Sequence, residues 1–139
     1  MSYLNQLFSL DGKVAVVLGG TSGIGQAIAR AYAQAGAAVI ASSRDQAKVD
    51  AMADEIEELG ARTLRHTSDV QDRASMDSLC AETLQAFGRV DALVVTSGAL
   101  LKMASVDIPD EEFARVVDTN LNGSFRANQI FGRQMIAQQ

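Results

Sequence analysis

Residues 13–25 read KVAVVLGGTSGIG, an apolar run that passes directly into closely spaced glycines. The run at 13–18 is rich in β-branched residues, as is typical of a parallel strand covered on both faces. Gly19, Gly23 and Gly25 follow it at once, and the residues after them recur at helical spacing. The stretch therefore predicts a strand, a tight glycine turn and a helix in succession.

A strand, glycine turn and helix in this order are suited to holding a phosphate group. Glycine opens backbone angles that a Cβ closes, and it lets the backbone come close to a diphosphate. The next helix then aims its free N–H groups and positive dipole end at the phosphates. The pattern predicts a dinucleotide site, whose candidate residues here are Gly19, Thr21, Ser22, Gly23, Ile24 and Gly25. The alternative is a tight turn in a fold that binds no ligand.

Strands and helices are predicted to alternate along the rest of the chain. Apolar runs at 38–42 and 92–95 predict two further strands, and residues 63–67 predict a weaker, more polar strand, as expected at a sheet edge. Asp45 is a predicted N-cap for the second helix, and Asp72 or Ser75 is predicted to start the third. The alternation gives βαβ units and hence a parallel sheet with right-handed crossovers.

Apolar residues at a spacing of three or four mark the inner faces of the first three helices, each of which a glycine ends. The predicted inner residues are Ile24, Ile28, Ala31, Tyr32 and Ala35 in the first, Val49, Met52, Ile56 and Leu59 in the second, and Met76, Leu79, Cys80, Thr83, Leu84 and Phe87 in the third. Pro109 is predicted at the first position of a short helix that runs towards Asp118. Residues 121–139 predict a last helix.

Composition limits the classes of partner. The chain has 139 residues and a formal net charge of −5 with no basic block, which argues against nucleic acid. The apolar runs are shorter than a membrane span, and residues 1–6 lack a signal-peptide pattern. Cys80 is the only cysteine, so an internal disulfide is impossible and a cytoplasmic location is expected. His66 is interpreted as structural, and no residue spacing predicts a metal site.

The glycine spacing, GxxxGxG rather than GxGxxG, resembles that of the short-chain dehydrogenase/reductase family. The resemblance runs from Gly12-Lys13-Val14-Ala15 to the last helix. It implies a truncated, Rossmann-type doubly wound parallel sheet of strand order 3-2-1-4, in which residues 1–139 form one dinucleotide-binding domain. It also implies hydride transfer between nicotinamide and a carbonyl or alcohol carbon. In the family a threonine precedes the first glycine, where this chain has Leu18.

The end of the second strand bears on the choice of dinucleotide. An acidic residue there would accept bonds from the ribose hydroxyls and repel a 2′-phosphate. This chain has Ser43 and Arg44 instead, a hydroxyl and a planar guanidinium that suit a phosphate. We therefore expect NADP rather than NAD. The alternative is that Arg44 is a solvated residue near a helix start.

Three further positions follow from the resemblance. Asp69 and Val70 match the pair beside the adenine ring, although Asp69 is equally suited to cap the next helix. The family pattern Asn-Asn-Ala-Gly corresponds to residues 95–98, where Ser97 and Gly98 are expected beside the cofactor ribose. Asn120 matches the catalytic asparagine, which holds a water in a proton relay with the help of a helix distortion. The alternative for Asn120 is a helix-boundary residue.

The resemblance also implies groups that this sequence does not match. The family uses a serine, a tyrosine and a lysine four residues after it, whereas the tyrosines here are Tyr3 and Tyr32, and neither fits. We therefore expect the N-terminal half of an oxidoreductase, inactive alone, whose fourth strand and last helix drive self-association. The alternatives are a non-catalytic, flavodoxin-like nucleotide-binding module and a structural fragment. Residues 7–13 resemble members that act on sugar acids and polyols.

Overall fold

Three strands alternate with helices within residues 3–138, the part of the chain that the computed structural model describes. The elements are α1 (Tyr3–Phe8), β1 (Val14–Leu18), α2 (Gly23–Gln34), β2 (Ala38–Ser42), α3 (Gln46–Glu58), α4 (Arg73–Phe87), β3 (Ala92–Val95), α5 (Asp110–Val117) and α6 (Gly123–Ala137). A 3-10 turn at Ser105–Asp107 precedes α5, and a π-helical turn at Asp118–Asn122 joins α5 to α6. No helix in this part of the chain is both long and apolar enough to cross a membrane.

The sheet is parallel and has β1 at its centre, between β2 and β3. Val16 lies opposite Ile40 on one side and Leu93 on the other, and every residue of β1 is buried. Alternate β1 side chains face two separate cores, one formed with α4 and α6 and the other with α2 and α3. Helices thus cover both faces, and the predicted Rossmann-type doubly wound sheet is confirmed.

The strand predicted at 63–67 is wrong. Two backbone hydrogen bonds join this region to the β2 edge: Val39 N–H donates to Arg62 O and Ser68 N–H to Ser43 O, each at 2.9 Å. Between them the Ser42 hydroxyl donates to the carbonyl oxygen of His66, so a side chain takes the place of a ladder bond. The segment therefore follows the edge of β2 without forming a regular strand, and the sheet has three strands rather than four in the order 3-2-1-4.

The helix boundaries differ from prediction at several points. α1 was not predicted, and it contains Tyr3. Of the two predicted starts of α4, Asp72 is confirmed as the N-cap, whereas Pro109 is the N-cap of α5 rather than its first residue. The last α-helix begins at Gly123, because the π-helical turn occupies the preceding residues. The prediction for Gln139 lies outside the described residues.

The buried face of α2 was predicted only in part. The predicted Ile28 and Tyr32 pack half-buried against the core, but Gly25, Ala29 and Ala33 are the most buried residues of the helix, and Ile24 is 76% exposed. Small residues form the centre of this face, and periodicity of large apolar residues does not mark it. The inner residues predicted for α3 are buried except Leu59, which is 40% exposed.

Candidate functional site

The glycine turn lies at the carboxyl end of the central strand, where open parallel sheets bind their ligands. Gly19 has φ +76°, in the left-handed region that favours glycine. Its N–H donates to Ser42 O at 2.8 Å, and Gly20 N–H donates to the same oxygen at 3.3 Å. The turn is therefore held against the end of β2 by its own backbone.

The N-terminus of α2 presses directly on this turn. A Cβ at Gly25 would lie against Gly19 O and Thr96 Oγ1, closer than Cβ atoms come to other heavy atoms. Gln26 N–H is the first amide of the helix to reach an intrahelical acceptor, Ser22 O at 3.2 Å. Ser22 makes no side-chain cap, so the amides of residues 23–25 are left for an acceptor outside the helix. Free amides at a helix N-terminus are the donors that the predicted phosphate site requires.

A cleft of about 640 Å³ opens above the turn. Its walls bring together nearly all the residues predicted to hold a cofactor, from four separate parts of the chain. These are Gly19, Ser22, Gly23, Ile24, Gly25, Ser43, Arg44, Asp69, Val70, Ser97 and Gly98. Thr21 does not line the cleft, but its hydroxyl donates to Ser43 Oγ at 2.9 Å and so joins the turn to the end of β2.

Sequence reasoning missed six residues that also line the cleft: Ser68, Gln71, Thr96, Ala99, Arg115 and Thr119. Four of them are chain neighbours of predicted residues, which was the available signal. Arg115 and Thr119 are four residues apart and thus share a helical face, but nothing in the sequence directs that face towards the cleft. The Arg115 guanidinium pairs with Glu112 at 2.8 Å.

The corner after β2 presents a cation without a competing carboxylate. Arg44 is exposed, and among the ion pairs of the described residues none involves it. The nearest acidic residue along the chain, Asp45, uses its carboxylate to accept Lys48 N–H as the cap of α3. The corner therefore offers hydrogen-bond donors to the cleft rather than an acidic acceptor.

The loop that contains Asp69 and Val70 is closed by its own hydrogen bonds. Asp69 Oδ1 accepts Gln71 N–H at 2.9 Å, and Asp69 N–H donates to Ser75 Oγ at 3.0 Å. Because Asp72 caps α4, the alternative in which Asp69 is that cap is wrong. Val70 is buried and packs directly against Gly123, where a Cβ would come within 2.8 Å of Val70 Cγ2.

Asn120 lies in the π-helical turn, the helix distortion that the family resemblance implies. It is outside the cleft lining, and its amide faces the loop after β3. Asn120 Oδ1 accepts Ala99 N–H at 2.7 Å, and Nδ2 donates to Ala99 O at 3.0 Å. This pair fixes the cleft wall at Ala99 relative to the start of α6, so Asn120 is more than a helix boundary.

A charged network joins the π-helical turn to the loop at Val70. Arg126 donates to Val70 O at 2.6 Å and to Asp118 Oδ1 at 3.0 Å. The hydrogen bond from Asn122, together with those from Arg126 and Gln71, lowers the pKa of the Asp118 carboxyl below its ordinary value. Asp118 is therefore held ionised near neutral pH, and the two walls of the cleft stay connected.

Fold and cleft together define an α/β protein of the Rossmann class, with a glycine-rich turn at the mouth of its central strand. The profile of the short-chain dehydrogenases matches residues 13–139. The chain belongs to that family.

Comparisons with individual proteins agree with this assignment. The chain is 36% identical to galactitol 2-dehydrogenase of Rhizobium johnstonii over 139 residues, 99% of this chain and 53% of that protein. A short-chain type dehydrogenase/reductase from Mycobacterium marinum superposes with a TM-score of 0.94 at 36% identity, over 99% of this chain and 56% of the other. An actinorhodin polyketide ketoreductase solved with NADPH gives 0.87 at 32% identity, over 91% and 49%. The chain spans about half the length of the curated relatives it matches.

Proposed function

We propose that residues 1–139 form a single dinucleotide-binding domain that holds the cofactor of a hydride-transfer enzyme. The observation that carries this proposal is the free N-terminus of α2 against the glycine turn, at the floor of the 640 Å³ cleft. The diphosphate accepts hydrogen bonds from the amides of residues 23–25 and from the Ser22 hydroxyl. The adenine lies by Asp69 and Val70, and the nicotinamide ribose lies by Ser97 and Gly98.

The preferred dinucleotide is NADP. Ser43 and Arg44 provide a hydroxyl and an unpaired guanidinium where the adenosine ribose ends, and Thr21 orients the Ser43 hydroxyl. Asp45, the next residue along the chain, does not line the cleft, and its carboxylate is engaged as a helix cap. A ketoreductase of this family has been solved with NADPH, which is compatible with this preference.

Replacing Arg44 with alanine tests the 2′-phosphate site. A hydrogen bond to a charged group contributes about 1.5–3 kcal/mol, so we expect NADPH affinity to fall about 10- to 150-fold while NADH affinity changes little. Isothermal titration calorimetry with each dinucleotide measures both constants. Lys48→Ala removes the same charge from α3 outside the cleft and should leave the NADPH/NADH ratio unchanged. An unaltered ratio in Arg44→Ala would exclude this role for Arg44.

The full reaction that we propose is hydride transfer between the nicotinamide and an alcohol or carbonyl carbon. A polyol or sugar acid is the proposed substrate class, since residues 7–13 resemble members acting on such compounds and a galactitol dehydrogenase is among the relatives. Asn120 contributes by holding the relay water in the complete site. We expect this chain alone to bind the dinucleotide without turning over NADPH.

Self-association is proposed through β3 and α6. Within residues 3–138 β3 pairs on one edge only, its residues are half-buried, and Phe125 on α6 is 63% exposed. An unpaired apolar edge strand recruits another chain, here a second copy. We expect sedimentation velocity to show a concentration-dependent shift that Phe125→Ala reduces; a strictly monomeric wild type would contradict the proposal.

The single cysteine, Cys80, is buried and free, which supports a cytoplasmic location.

A further inference from the structure

Thr96, the first residue after β3, makes an unusual double contact with the strand that leads into the glycine turn. Its N–H donates to Leu18 O at 2.9 Å, as the parallel ladder requires. Its hydroxyl donates to the same carbonyl oxygen at 2.8 Å. Both donors of one residue therefore converge on the last carbonyl before Gly19.

The same hydroxyl lies against the two glycines on which the turn depends. A Cβ at Gly19 would come within 2.8 Å of Thr96 Oγ1, and a Cβ at Gly25 would come closer still. The Thr96 oxygen thus occupies the space that these glycines leave open. It touches the end of β1 and the first turn of α2 at once, although it belongs to a third element.

We propose that Thr96 is a positioning residue, whose hydroxyl holds the glycine turn and the N-terminus of α2 in the geometry that receives the diphosphate. A hydroxyl has one proton, and that of Thr96 is committed to Leu18 O. The oxygen therefore has no proton left to donate to a phosphate, and it acts through the backbone. This inference rests on the proposed dinucleotide function and adds to it a residue outside the predicted cofactor set.

Leu18, whose carbonyl oxygen accepts the Thr96 hydroxyl, provides no side-chain hydroxyl of its own to hold the turn. Leu18 is fully buried in the core beside α4 and α6, so its side chain offers no polar group to the turn. The family has a threonine at that position. In this chain a hydroxyl that ties the turn to its surroundings comes instead from Thr96, the first residue after β3.

The test compares two variants of Thr96, one that lacks the hydroxyl of the wild-type side chain and one that lacks its methyl group. Thr96→Val keeps the shape and loses the hydroxyl, while Thr96→Ser keeps the hydroxyl and loses the methyl. We expect Thr96→Val to weaken NADPH and NADH by the same factor, about tenfold, because the diphosphate is common to both. Thr96→Ser should stay within about twofold of wild type. Calorimetric titration of the folded variants measures each constant.

Thr83→Val is the matched control. Thr83 is a buried residue of α4 outside the cleft lining, and its hydroxyl donates to Leu79 O within its own helix. Its replacement should leave both affinities unchanged. Wild-type affinity in Thr96→Val would overturn the inference, because the hydroxyl would then be dispensable. An equal loss of affinity in Thr96→Ser would also overturn it, because that variant keeps the hydroxyl.

Amide hydrogen exchange of the unliganded protein separates this inference from the function on which it rests. We expect the amides of residues 19–25 to exchange faster in Thr96→Val than in Thr96→Ser, with exchange in α4 unaffected. If the wild type binds neither dinucleotide, the proposed function fails, and the exchange comparison still decides whether Thr96 holds the turn. Equal exchange of the turn in both variants would refute its positioning role.

Discussion

Replacement of Gly25 by alanine is expected to weaken dinucleotide binding by a factor of about 150 or more. The new Cβ would collide with the backbone oxygen of Gly19 and with Thr96 Oγ1, so α2 must move away from the turn. That movement carries the amides of residues 23–25 away from the diphosphate. The loss of two hydrogen bonds to a charged group, at about 1.5–3 kcal/mol each, weakens binding about 150-fold or more.

The same substitution should destabilise the fold by about 1–3 kcal/mol, because overpacking against backbone cannot be relieved by a rotamer change. Calorimetry with NADPH and urea unfolding measure the two effects separately. Gly132→Ala is the matched control, since a Cβ at Gly132 in α6 meets nothing within 4 Å. It should bind NADPH normally and gain up to about 1 kcal/mol from helix propensity. Normal binding by Gly25→Ala would contradict the proposed phosphate site.

Two strands of the sheet, at 38–42 and 92–95, were predicted to the residue, and the first was predicted one residue too early, at 13–18 instead of 14–18. Apart from Ser42 these strands are apolar, as burial on both faces of a parallel sheet favours. Helix starts were predictable where a short acidic side chain could reach an amide, as at Asp45 and Asp72. In these places the local sequence and the tertiary environment favour the same secondary structure, so the sequence pattern alone predicts the element.

Prediction failed where a contact across the structure decided the outcome. The segment at 63–67 has strand-like residues, yet the Ser42 hydroxyl takes the carbonyl oxygen of His66 and interrupts the ladder. The inner face of α2 was predicted only in part, because its most buried residues are Gly25, Ala29 and Ala33, while Ile24 is turned towards the cleft. Periodicity identifies large apolar residues, and those of this face, Ile28 and Tyr32, are only half-buried beside the small ones.

The residues of the candidate site also divide into those that the sequence predicted and those that it did not. Ser43, Asp69 and Ser97 are distant in sequence, but each follows the carboxyl end of a strand or of the segment beside it, so parallel topology brings them to one edge. Arg115 reaches the cleft from α5, and Thr119 reaches it from the π-helical turn that follows. Their orientation depends on the π-helical turn and on the hydrogen bonds between Asn120 and Ala99. No local sequence pattern predicts either feature.

Two phenylalanine side chains of α6, Phe125 and Phe131, differ sharply in burial. Phe125 is 63% exposed, whereas Phe131 is fully buried. Phe131 packs in the core that β1 shares with α4, beside residues such as Val16 and Leu79. The π-helical turn and the path of α6 over the sheet set which of the two rings is covered.

Phe131→Ala is therefore expected to lower the free energy of unfolding by about 3–5 kcal/mol, through lost burial and the cavity left behind. Against a usual total of about 5–15 kcal/mol, this removes a large share of the stability. Phe125→Ala, the same change six residues earlier, should cost less than about 1 kcal/mol. Urea midpoints with unchanged slopes, measured at dilutions where the chain does not associate, compare the two. Equal losses in both variants would mean that α6 does not lie on the sheet through Phe131.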